Sequence, residues 1–235
     1  MSNSEIHKTA ILFFSRSANA EASLKPFSAK IHFSAKRKLA ASLINQTKKV
    51  LAKSNLPLFS SDEKSQEGVT FGERISSSIS KIFDKGFHNV LVIGNDCPNI
   101  NLKDISESVL ALENNESIIG PAIDGGVYLF GIQKNNFSEA EFTQLPWQTS
   151  QLASGFSILI ESKKSVLKFL ATKADIDQLQ AISQNTIQKS PIEIAKILHS
   201  LLASFIPYFQ KSTCFFHSPA LNQIPFFRGP PVIFF

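Results

Sequence analysis

The sequence predicts an α/β protein of three layers, with helices on both faces of a mostly parallel sheet. Short apolar runs alternate with helically periodic stretches at about 35-residue spacing, the beat of strands joined by crossover helices. The runs are rich in β-branched residues and end in Gly, Asn, Asp or Pro, which favours buried strands over helix segments. A chain of 235 residues, 43% hydrophobic and 18% charged, is also long and apolar enough for one domain with a sizeable core.

The elements follow in order. Residues 10–14 form the opening apolar run, and residues 15–34 read as polar and irregular, with Pro26 inside them. Leu39, Leu43, Val50 and Leu51 then share one face of a helix over residues 35–53. That leaves Lys36, Arg37, Lys38, Lys48 and Lys49 for its wet face. Residues 55–59 read as a short strand at an edge or an end, because Pro57 has no N–H to give a ladder. After a polar loop over residues 60–68, Phe71, Ile75, Ile79 and Phe83 mark a helix that Gly86 stops. Residues 90–93 are the next strand, and Leu102, Ile105, Val109 and Leu112 the next helix face. Strands are expected at residues 117–122 and 127–132, and helices at 151–168 and 191–205. The whole divides into a domain over residues 1–205 and a Phe- and Pro-rich tail over residues 206–235, in which five prolines rule out a continuous helix.

Several classes are excluded. A net charge of +5 favours anionic ligands. No dense Lys/Arg stripe interleaved with aromatics is present, so nucleic acid is not an expected partner. Cys97 and Cys214 make neither a disulfide framework nor a metal-ligand spacing. The first ten residues lack the apolar core of a signal peptide, and no run approaches the ~18 apolar residues of a membrane span. A reduced, cytoplasmic setting is the expectation.

The chemistry concentrates in residues 89–131. One strand delivers Asp96 within GNDCP, and the next delivers Asp124 within DGG. Ligands of open α/β sheets bind at the carboxyl ends of the strands. Two carboxylates there suggest a cation site for a phosphorylated ligand, because Mg²⁺ and Mn²⁺ take hard oxygen ligands, usually one or two carboxylates plus substrate phosphates. Asp96 alternatively caps a helix or braces the turn before Pro98, and Asp124-Gly125 alternatively makes only a tight turn. No Ser/His/Asp set, metal-spaced His pair or P-loop pattern is present.

GNDCP, GPAIDGGVYLFG, PWQTS and DID, in that order and preceded by QEGVTFGERI, resemble the glycosyltransferase-A-like selenodomain-associated transferases. More distantly they are similar to nucleotidyltransferases that activate sugars and small phosphorylated acids. The resemblance covers roughly residues 10–180. It implies a nucleotide-diphospho-sugar transferase fold and a metal-dependent glycosyl or nucleotidyl transfer to a small acceptor. A non-catalytic relative binding a nucleotide, a sugar phosphate or a protein is the alternative. On this resemblance Mg²⁺ or Mn²⁺ is held by Asp96 and by Asp177 of the DID element, and for Asp177 and its neighbour Asp175 helix capping is the alternative to metal binding. Asp96 and Asp124 are the catalytic carboxylates. Arg16, Lys25, Gln66, Arg74, Gly125 and Gly126 contact the nucleotide, and Trp147 and Thr149 wall the acceptor pocket.

Each assignment has a plainer counterpart. Arg16 and Lys25 also read as solvated loop charges, and QEGVTFGERI as a helix start in which Glu73 meets the positive end of the dipole. Trp147 also reads as a core plug. Two departures stand out. Where the nucleotidyltransferases carry a glycine-rich phosphate loop, no glycine lies between Ser15 and Phe27. In the DID element Gln178 and Ala181 replace the expected threonine and aspartate.

Overall fold

Alternation along the first strand sets the layers. In β1 (Thr9–Phe14) every residue is buried. Ala10, Leu12 and Phe14 join one core cluster, and Ile11 and Phe13 another. A strand apolar on both faces belongs in the middle of a sheet covered on both sides. The computed structural model describes residues 8–25, 31–176 and 182–203.

Between β1 and the edge strand β2 (Leu58–Ser61) run α1 (Ala18–Leu24) and α2 (Phe33–Leu51). Then follow α3 (Phe71–Phe83), β3 (Asn89–Ile93), α4 (Leu102–Glu113), β4 (Ser117–Pro121) and β5 (Val127–Gln133). The chain continues through α5 (Glu139–Thr143), α6 (Leu152–Ser162), β6 (Leu167–Phe169), α7 (Gln184–Lys189) and α8 (Ile192–Ala203). The sheet order is β2-β1-β3-β5-β4-β6. β1 pairs parallel with β2 and β3, and β4 with β6, while β5 is antiparallel to both its neighbours. β3 and β4 therefore point the same way, and both aspartate-bearing loops leave the same edge of the sheet.

The first core cluster packs Ile75, Ile79 and Phe83 of α3, Phe142 of α5 and Phe156 and Ile160 of α6 on one face. The second packs Ile44 and Leu51 of α2 and Ile105, Ala111 and Leu112 of α4 on the other. The three-layer α/β/α expectation holds. Beyond α2, Leu39 and Leu43 meet Ile187 of α7 and Ile194 and Leu198 of α8 in a third cluster. Among the described residues no helix is long and apolar enough to cross a membrane.

Three local expectations change. Residues 15–34 contain α1, whose Ser17 caps it by accepting a hydrogen bond from Ala20 N at 3.3 Å. A seven-residue helix is unstable alone, and this one is held by packing on α2. The expected helix over 151–168 ends at Ser162, and Leu167–Phe169 is an edge strand beside β4. Lys164 breaks the run with φ 55°. The strand read at residues 55–59 lies at Leu58–Ser61, paired only with β1, as Pro57 requires. The tail at residues 206–235 lies outside the described residues.

Candidate functional site

The carboxyl edge of the sheet opens into a cleft of about 470 Å³. Of the residues singled out from sequence, Arg16, Lys25, Gln66, Asp96, Asp124, Gly126, Trp147 and Thr149 line it, as does Asp175. Asp177 lies outside the described residues.

Asp96 leaves the end of β3 and its side chain is 35% exposed, so it opens into the cleft. Its carboxylate Oδ1 accepts from Lys25 Nζ at the end of α1. The same ammonium stands 3.7 Å from Glu21 Oε2, one helical turn back, and is only 11% exposed. Glu21 is 4% exposed, and its Oε2 accepts no hydrogen bond among the described residues. Burial pushes the Glu21 carboxyl above the usual range, against the opposing pull of Lys25. The backbone N–H of Ile176 donates to Asp96 O at 3.0 Å, which sets Asp175 beside the Asp96 loop.

Asp124 is placed differently. Its Oδ1 accepts from Gly126 N at 2.8 Å, closing the turn between β4 and β5 on itself. Gly125 sits at φ 89°, and a Cβ there would lie 2.2 Å from Ser150 O. Glycine is therefore required at this position by backbone conformation and by close approach together. Gly125 buttresses the site without lining it.

Lys173 ties the two loops. Its backbone N–H donates to Pro121 O at 3.1 Å, and its carbonyl accepts from Ile123 N at 3.0 Å. Its ammonium donates to Asn99 O at 3.0 Å and pairs with Asp104, the side chains being 13% and 10% exposed. Asp104 in turn accepts from Asn101 N at 2.8 Å in the capping box of α4. Removing one partner of such a pair strands a buried charge, which costs about 3–5 kcal/mol.

Other assignments resolve by geometry. Gln66 donates to Ser61 O at 3.2 Å at the cleft wall. Arg74 does not join the cleft: it donates to Thr70 O at 3.1 Å and Val69 O at 3.0 Å. Glu73 forms a capping box with Thr70 at the start of α3, the role the helix-start reading gives it. Gly72 lets α3 approach α5, since a Cβ there would meet Thr143 O at 2.4 Å and Trp147 Cδ1 at 2.9 Å. Trp147 is both plug and wall. Its ring lies 5.5 Å from Phe71 and 5.9 Å from Phe130, and its indole N–H donates to Phe142 O at 2.7 Å. Thr149 donates to Pro146 O at 2.7 Å. Tyr128 is buried and its hydroxyl donates to Ala171 O at 3.1 Å. The Cys97 thiol is buried and pushed up to about 11 by desolvation.

Sequence reading missed Glu21 and Lys173. Glu21 stands four residues before Lys25, a spacing that pairs them on a helix, so predicting α1 exposes it. Nothing in the sequence marks Lys173.

This architecture is that of the nucleotide-diphospho-sugar transferase fold. A protein of Desulfovibrio desulfuricans G20, provisionally named a nucleotide-diphospho-sugar transferase, is 20% identical with a TM-score of 0.72, over 86% of this chain and 99% of that chain. Residues 35–149 match the model of a family described as an uncharacterized protein conserved in bacteria (DUF2064). That segment contains QEGVTFGERI, GNDCP and GPAIDGGVYLFG. Looser likenesses extend to a manganese complex of Rv0371c from Mycobacterium tuberculosis H37Rv, 9% identical with a TM-score of 0.41 over 77% of this chain and 96% of that chain. Another is 4-diphosphocytidyl-2C-methyl-D-erythritol synthase from Anaerococcus prevotii DSM 20548, 12% identical with a TM-score of 0.42 over 83% and 99% of the two chains. No curated protein matches the chain.

Proposed function

We propose that the protein is a transferase that takes a nucleotide-linked donor, together with a divalent cation, and passes a glycosyl or nucleotidyl group to a small acceptor. The observation that carries this reading is Asp96 opening into a cleft with Asp175, Arg16 and Lys25 around it. The fold shared with the Desulfovibrio protein supports it. The donor set suits magnesium or manganese. Asp96 and Asp175 supply hard oxygens on adjoining backbone, and the remaining ligands come from substrate phosphates and water. No group of three or more His, Cys, Asp or Glu that could hold a metal occurs among the described residues, and Asp177 lies outside them. When bound, the cation supplies charge neutralisation at the diphosphate.

The chain's own residues do the rest. Arg16 and Lys25 receive the donor phosphates, and Gln66 meets the base or sugar edge. The acceptor enters beside Asp124, Trp147 and Thr149. Asp124, oriented by Gly126 N–H, takes the acceptor hydroxyl's proton. The acceptor oxygen then bonds to phosphorus or to the anomeric carbon as the bond to the leaving group breaks. Holding both reactants in line is the main catalytic contribution of such a site.

Thermal melting with nucleotides and nucleotide-sugars, with and without Mn²⁺, tests this. Stabilisation that needs Mn²⁺ and disappears in Asp96→Ala is the expected outcome. A second reading, a binding protein without catalysis, is favoured by one observation: α1 stands where a phosphate-cradling glycine loop belongs, and its Lys25 already pairs with Asp96. Nucleotide stabilisation indifferent to metal assigns that reading instead.

A further inference from the structure

Asp96 is the carboxylate on which the divalent cation is proposed to sit, and Lys25 holds one of its oxygens. The ammonium is largely buried and shared with Glu21, which is itself more than nine-tenths buried. Glu21 Oε2 accepts no hydrogen bond among the described residues and has Lys25 3.7 Å away, while the Arg16 backbone and charge also support the carboxylate. Glu21, Lys25 and Asp96 all face the same cleft.

We propose that Lys25 is an internal cation tethered by Glu21, which competes with the divalent ion for Asp96 and swings onto the donor's phosphate when that ion binds. The inference rests on the transferase reading and adds a linkage to it: metal and donor load together. Two positive charges cannot share one carboxylate oxygen without strong repulsion at these distances. The divalent ion therefore gains a place on Asp96 only as Lys25 leaves. Glu21 keeps the displaced ammonium in the cleft, because losing it would strand a buried carboxylate. A diphosphate arriving with the metal offers that ammonium a new anionic partner. The metal alone meets a competitor; the metal with its donor does not.

Mn²⁺ titration of the full chain without nucleotide, followed by electron paramagnetic resonance, reads the competition. Lys25→Met is expected to bind Mn²⁺ about tenfold tighter than the wild type, the size of an ordinary coupling between two sites. That gain should vanish when Asp96→Asn is added. Equal Mn²⁺ affinity in Lys25→Met and wild type overturns the competition while leaving the transferase reading to its own nucleotide-dependent melting test. Absence of Mn²⁺ binding in every form, with or without nucleotide, overturns both.

A second measurement needs no change at Lys25. Acetic anhydride labelling of Lys25, read by mass spectrometry, should rise several-fold in wild type at saturating Mn²⁺. It should rise without metal in Glu21→Gln, where the tether is gone. Labelling of Lys25 that responds to neither change overturns the proposal.

Discussion

The two aspartates that leave the same edge of the sheet carry a similar local signal, an acid among turn-forming residues after an apolar strand, and they end in opposite circumstances. Asp96 reaches away from its own loop, to a lysine from another helix and towards the segment holding Asp175. Asp124 folds back on its own turn and binds Gly126 N–H. One carboxylate is placed by long-range structure, the other by two residues of chain. The difference teaches that a strand-end acid can become a metal-ligand site where the surrounding chain brings it partners, whereas one held by its own backbone is fixed in orientation on the acceptor side.

The largest effect should come from the residue that joins the two loops. Lys173→Met leaves Asp104 as an uncompensated buried charge and removes the donor to Asn99 O. A loss of about 3–5 kcal/mol in urea unfolding is expected. A loss under about 1 kcal/mol would mean that the two loops stand independently.

Next comes the contrast between the aspartates themselves. Asp96→Ala should weaken Mn²⁺-dependent nucleotide binding by about two orders of magnitude in calorimetry. Asp124→Ala should leave that affinity within about threefold and cost about 1 kcal/mol of stability through the lost turn bond. Equal effects on binding would erase the distinction drawn here.

Gly125→Ala sharpens the comparison from the side of the turn. The added Cβ lies 2.2 Å from Ser150 O at a φ of 89°. About 2–3 kcal/mol should be lost in chemical denaturation. Gly126→Ala, whose Cβ approaches nothing closer than Asp124 Oδ1 at 3.0 Å, should lose less. The reverse order would contradict the turn geometry.

The smallest effect is a pH dependence on the Asp96 side. Burial raises the Glu21 carboxyl above its ordinary value. The fold therefore holds that proton more tightly than the unfolded chain does. Its contribution is fully present below the unfolded value and is lost as pH rises through the folded one. Glu21→Gln lacks this dependence, so its melting temperature relative to wild type should climb as pH rises above the ordinary glutamate range. A constant difference would show that Lys25 fully offsets the burial.

Much of this was legible beforehand, and the failures share a cause. Layers and core follow from the short apolar runs of the buried strands and from the apolar faces of α2, α3 and α4, where one periodicity dominates. Asp96 and Asp124 were found because turn chemistry after a strand is local. The reversed direction of β5 was not, since pairing order depends on contacts far apart in sequence. α1 was hidden because six polar and alanine residues with a single leucine carry no apolar period, and it is held by packing on α2. With α1 unseen, Glu21 had no helix partner. Arg74 was misplaced for a related reason: a motif match cannot tell that the carbonyls of Thr70 and Val69 claim its guanidinium.

The most direct test of the central claim is an anomalous difference map at the manganese edge, from crystals of the full chain soaked with MnCl₂ and a nucleoside diphosphate. A peak about 2.2 Å from an Asp96 carboxylate oxygen, bridged to the diphosphate with Lys25 moved onto phosphate, is the predicted result. A nucleotide bound with Lys25 still on Asp96 and no peak at that carboxylate would contradict it.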